Sequence, residues 1–147
     1  METLFALANA WILPGWLLLL FAPSWKHTGK LVFYLVILVL AVVYAVLLLS
    51  DIGSFDPEAG STLEGISNAF GSPWVALIGW IHYLAFDMLA GLVIALDARR
   101  VGVNRILMAL PLFLTLMAGP FGLLTYVLIR AAYTRHLGLP LQDGSGN

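Results

Sequence analysis

Four runs of apolar side chains, at about residues 4–22, 31–50, 74–96 and 106–129, decide what this chain can fold into. Each reaches the roughly 20 residues an α-helix needs to cross the ~30 Å hydrocarbon layer of a bilayer at ~1.5 Å per residue. Of the 147 residues, 61% are hydrophobic and 10% charged, against roughly 25% charged in an ordinary soluble domain. A soluble four-helix protein could not solvate itself with so few charges. The expected fold is therefore an all-α membrane protein, a four-helix transmembrane bundle forming one domain over residues 1–138, with a disordered polar tail over 139–147.

The connections refine this. The first run competes with a signal peptide, but Glu2 stands where a basic cluster would be and Ala22-Pro23-Ser24 is a poor cleavage site, so a retained helix is expected, bent at Pro14-Gly15. Trp25, Lys26 and Lys30 suit a membrane–water boundary. Between spans two and three, Ser61 and Glu64 fit a capping box, and Leu63, Ile66 and Phe70 share one face, which predicts a short amphipathic interfacial helix. The loops after spans one and three carry Lys26, Lys30, Arg99, Arg100 and Arg105, while Arg130 and Arg135 fall on the other side of a four-span arrangement. The basic loops are expected to be cytoplasmic and both termini non-cytoplasmic.

Much chemistry is thinned by counting. With no cysteine there are no disulfides, thiolate metal sites or cysteine nucleophiles. A formal net charge of -1 with no basic stripe argues against a nucleic-acid partner. The three histidines, His27, His82 and His136, are too few for a membrane-bound iron oxygenase, and four spans put His27 and His136 on opposite sides, so no metal site is expected. Phosphate-cradling loops, dinucleotide fingerprints and serine elbows are missing, and no cofactor is implied. A channel with one buried acid per chain would need a homo-oligomer.

What stands out is the third run, where His82 and Asp87 lie inside apolar sequence. Ionisable groups at that depth must face protein or water, which makes them functional candidates. At ~100° per residue they diverge by about 140° around the helix. Asp87 shares a face with Trp80, Tyr83, Ala90 and Gly91, and His82 shares one with Phe86 and Leu89. Depth matching puts Asn9, Tyr44 and His82 in one polar layer, and Asp87 level with Thr115 and Gly119-Pro120. Pro120 leaves the Leu116 carbonyl without its helical donor, and a protonated Asp87 could supply one. The purely structural alternative follows: Asp87 satisfied by a kinked helix, His82 by Asn9 or Tyr44. Gly91, Gly119 and Gly122 read first as close-packing positions.

The arrangement resembles the neoxanthin synthase family, also called the abscisic acid deficient four-like family, over roughly residues 9–130. Trp80-Ile81-His82 followed by Asp87 carries most of the likeness, supported by Leu13-Pro14, Ala22-Pro23, Tyr44 and Gly119-Pro120-Phe121-Gly122. The resemblance implies an integral membrane protein of carotenoid metabolism and a metal-free isomerisation of violaxanthin, or of a related carotenoid or apocarotenoid, in which a proton leaves the polyene end, an allene forms and the epoxide opens. It implies His82 as base, with Asp87 or Tyr44 as proton donor. Asn9, Trp80, Tyr83, Phe86, Thr115, Gly119 and Tyr126 are the expected ligand contacts, and in a protein that only binds the pigment Trp11, Trp16, Phe86 and Phe121 would serve as apolar walls. The plant relatives' plastid-targeting extension is not expected here, which points to a bacterial inner membrane. The alternative is a protein that binds or hands on a carotenoid or other lipid without changing it, or an assembly subunit.

Overall fold

The computed structural model describes residues 1–51, 53 and 59–136, and every regular element in them is helical. Helix α1 covers Glu2–Phe21, α2 Thr28–Ser50, α3 Leu63–Phe70, α4 Pro73–Val101, α5 Arg105–Ala118 and α6 Pro120–Thr134. Three of them, α1, α2 and α4, are long and apolar enough to cross a membrane. The polar tail expected over 139–147 lies outside the described residues.

Helix α4 is the axis of the bundle. Of its most apolar window 56% is buried, against 28% for α1 and for α2. Pro73 starts it after an extended Ser72, and Gly102 ends it in the left-handed region (φ 79°), where the Val103 N–H returns to the Ala98 carbonyl. Asn104 then caps α5 by accepting from the Ile106 N–H at 2.8 Å. Helix α1 runs parallel to α4. Gly15 admits the Met88 side chain, and Gly91 admits the ring of Trp16, so that a Cβ at either glycine would overlap its neighbour. Close approach through small residues is how helices pack where lipid is as apolar as leucine. Helix α2 runs antiparallel to α4, with Gly29 against Leu96 at one end and Tyr44 against His82 nearer the other.

Within α2, Val32–Ile37 widens into a π-helical turn, closed by the Leu38 N–H reaching back five residues to the Phe33 carbonyl. The Trp11 indole N–H donates to the Leu35 carbonyl at 2.9 Å, tying α1 to this turn.

The fourth expected span needs correction. Residues 106–129 do not form one interrupted crossing: α5 and α6 are separate helices folded back on each other at Gly119. In a continuous helix Pro111 and Gly122 would stand about 16 Å apart, yet a Cβ on Gly122 would run into the Pro111 carbonyl and the backbone and hydroxyl of Thr115. Gly119 turns the chain at φ 38° and ψ -97°, with its α-carbon against the Asp87 carboxylate, and α6 returns until Tyr126 and Arg130 meet Asp97. The start of α1 and the end of α6 consequently lie at opposite ends of the bundle. Lys26, Lys30, Arg99, Arg100, Arg105, Arg130 and Arg135, which are all seven basic side chains, gather toward one end of the bundle. His27 and His136 lie toward that end too, not on opposite sides.

A smaller correction concerns α3. Its N-cap is Thr62, extended at φ -131°, whose hydroxyl accepts from the Gly65 N–H at 3.0 Å, because Ser61 belongs to the preceding 3-10 turn. Leu63, Ile66 and Phe70 do share an exposed side of α3.

Candidate functional site

The two faces of α4 hold different constellations. On one, Asp87 is 8% exposed and its Oδ2 has no hydrogen-bond partner among the described residues. Tyr83, one turn earlier on the same face, stacks on Trp80 with ring centroids 5.7 Å apart. The Trp80 indole in turn donates to Asn9 Oδ1 at 3.2 Å. A polar and aromatic seam thus runs from Asn9 on α1 down α4 to Asp87 beneath the α5–α6 turn. No hydrogen bond joins Asp87 to the Leu116 carbonyl among the described residues, so the donor expected from a kink at Pro120 is not what holds Asp87; the carboxyl abuts Gly119 instead.

On the other face, His82 is exposed along the side of the bundle. Its ring stacks on Phe86 at 4.5 Å and 28°, and meets the Tyr44 ring from α2 at 5.4 Å. Phe86 is 58% exposed, so this aromatic trio opens sideways. The structure therefore brings His82 to Tyr44 and keeps it from Asp87, as the helical spacing requires. The expected polar layer divides: Asn9 pairs with Trp80, and Tyr44 with His82.

Other residues expected near a ligand are held in packing. Thr115 is fully buried and donates to the Pro111 carbonyl at 2.8 Å, seated against Gly122. Tyr126 is fully buried and donates to Asp97 Oδ2 at 2.6 Å. Trp16 is a core residue, whereas Trp11 and Phe121 face outward.

Sequence reasoning missed a third constellation. Arg130 Nε lies 2.6 Å from Asp97 Oδ2, with the two side chains 5% and 0% exposed. Taking two charges out of water is costly unless they are paired and hydrogen-bonded, and Tyr126 supplies a further bond to the same carboxylate oxygen. The triad fastens the returning helix α6 to the last turns of α4. Its sequence signal was available: Asp97 and Arg130 border apolar runs whose halves, split at Gly119-Pro120, are too short to cross separately.

The family model described as ABA DEFICIENT 4-like matches residues 3–126, from the start of α1 to the Tyr126 that binds Asp97. The chain belongs to the ABA4-like family. Membership makes it a carotenoid-related membrane protein, and the matched span takes in both faces of α4 and the turn at Gly119. No curated protein and no solved structure matches the chain.

Proposed function

We propose that this ABA4-like protein isomerises a carotenoid epoxide by acid–base chemistry at the lateral face of α4, with His82 as the base and Tyr44 as the proton donor. The observation that carries the assignment is the 5.4 Å approach of their rings beside the outward-facing Phe86. In the reaction His82 takes the proton from the polyene carbon next to the ring. The released electron pair completes the allene, the epoxide C–O bond breaks, and its oxygen takes the Tyr44 proton. Return of the proton from His82 to Tyr44 restores both groups, so the net change is an isomerisation that consumes no electron carrier.

Depth favours this pair over Asp87. The 29 residues of α4 span about 43 Å, some 13 Å more than the hydrocarbon layer. Centred in the bilayer, α4 would hold His82 roughly 7 Å below the surface and Asp87 near the mid-plane, and Tyr44 on α2 reaches a similar depth to His82. A long carotenoid with polar end groups lies with its rings toward the two surfaces and its polyene between them. Ring chemistry then belongs at the level of His82 and Tyr44. Asp87 acts in the seam that receives the α5–α6 turn.

In this reading α1, α2 and α4 cross the membrane, and α5–α6 enters from the basic end to half depth and leaves on the same side. The basic end faces the cytoplasm of a bacterial inner membrane, by the excess of Lys and Arg in its short loops. The C-terminus is then cytoplasmic and the N-terminus is not.

The test is expression in bacteria that make a coloured carotenoid epoxide, with chromatography of the pigments. A new isomer should appear, and His82→Ala or Tyr44→Phe should lower its yield about 100-fold or more at unchanged protein level, while Asp87→Asn retains it. Loss with Asp87→Asn alone would move the acid to the seam. Unchanged pigment that co-purifies with the protein would make it a carrier.

A further inference from the structure

The basic end of the bundle contains a cleft that neither α4 face uses. It measures about 240 Å³ and lies between the end of α1 and the α4–α5 turn, bordered by Ser24, Arg99 and Arg105, with Val103 and Met108 below. Two guanidiniums converge there on carbonyls at the end of α1 and just beyond it. Arg99 donates to the Pro23 carbonyl at 2.9 Å, and Arg105 donates to Leu20 at 3.2 Å and to Phe21. Neither pairs with a carboxylate among the described residues. The carbonyl end of a helix supplies about half a negative charge, which leaves most of the two positive charges uncompensated. Each guanidinium has five N–H donors, more than these carbonyls engage. The floor is apolar, with Val103 8% and Met108 2% exposed, and the neighbouring Trp25 is 47% exposed beside Lys26.

We infer that this cleft binds the headgroup of an anionic phospholipid, its phosphodiester between Arg99 and Arg105 and its glycerol over Val103 and Met108. Charge-assisted, forked contacts suit guanidinium and phosphate. The apolar floor is what separates a lipid from a free anion, since inorganic phosphate gains nothing from Val103 and Met108. Charge complementarity selects the leaflet as well: the cleft opens at the end holding every basic side chain, where anionic lipids of the inner leaflet are drawn.

The full chain is reconstituted in nanodiscs of phosphatidylcholine alone, or mixed with phosphatidylglycerol, and followed by hydrogen exchange and by native mass spectrometry of retained lipid. Phosphatidylglycerol should slow exchange in residues 20–26 and 99–108 and stay bound in preference to phosphatidylcholine. Arg99→Gln with Arg105→Gln should weaken retention about tenfold or more, the loss of at least one charge-assisted hydrogen bond. Lys26→Gln with Lys30→Gln should change it less than about twofold, as surface charges do. If the arginine variant does not fold, the wild-type exchange pattern decides alone. Equal protection by both lipids, or protection spread evenly along the chain, overturns the inference. So does the same protection by inorganic phosphate in phosphatidylcholine discs, which would make the ligand a soluble anion. Retention lost in the lysine variant and kept in the arginine variant would reduce the site to diffuse surface charge.

Discussion

Replacing Arg130 by methionine tests the architecture as much as the ion pair. In the folded protein Asp97 is 0% exposed and Arg130 4%, so Arg130→Met leaves the buried Asp97 carboxylate without the guanidinium 2.6 Å away. Removing one member of such a pair costs about 3–5 kcal/mol, whereas replacing both by apolar groups of similar volume is often neutral or stabilising. Arg130→Met should therefore destabilise by about 3 kcal/mol or more, and Asp97→Leu with Arg130→Met should recover most of that loss. The coupling, measured by a double-mutant cycle, should exceed about 2 kcal/mol, well above the ~0.5 kcal/mol scatter of independent sites. Tyr126→Phe deletes a 2.6 Å bond to the same oxygen and should cost about 1.5–3 kcal/mol, the range for a bond to a charged group. Reversible unfolding of the full chain in mixed detergent micelles provides the free energies. Additive losses for Asp97→Leu and Arg130→Met would mean that the two side chains do not meet. Helix α6 would then not return beside α4, and the hairpin would be refuted along with the pair.

Two further outcomes are expected. Gly119→Ala places a Cβ at φ 38° and against the Asp87 carboxylate; it should destabilise by at least the ~1 kcal/mol of a left-handed non-glycine residue, and wild-type stability in the same unfolding assay would show that the turn is not built this way. Because the chain has no native cysteine, Thr3→Cys and His136→Cys give clean single labelling sites. An impermeant maleimide should reach Cys introduced at 3 only from outside and at 136 only from the cytoplasm, and labelling of both from one side would restore a fourth crossing.

The three long helices were legible because length and hydropathy are enough to locate a crossing. The divergence of His82 from Asp87 was equally legible, being a matter of 100° steps along one helix, and so was the shared face of Trp80, Tyr83 and Asp87. Direction was not. A hydropathy run records how apolar residues 106–129 are, but a chain that turns back at Gly119 buries the same side chains as one that continues, and Gly119-Pro120 fits a kink as well as a reversal. The discrepant charges held the answer: Arg130 and Arg135 violate the basic-side rule only when a crossing is assumed, and folding the segment back removes the violation. The left-handed backbone at Gly119 and the choice of Thr62 over Ser61 as cap depend on local dihedral angles that residue type alone leaves open.

The wide turn in α2 also fixes which way its upper half looks. One residue too many in a turn swings everything beyond it by roughly 100° about the helix axis, and Tyr44 lies beyond Val32–Ile37. Shortening this stretch by a single residue would restore an ordinary spiral, tighten α2 and aim the phenol away from the imidazole. The meeting of Tyr44 with His82 is in that sense set seven or more positions upstream, by an irregularity that the Trp11 indole clamps from the neighbouring helix.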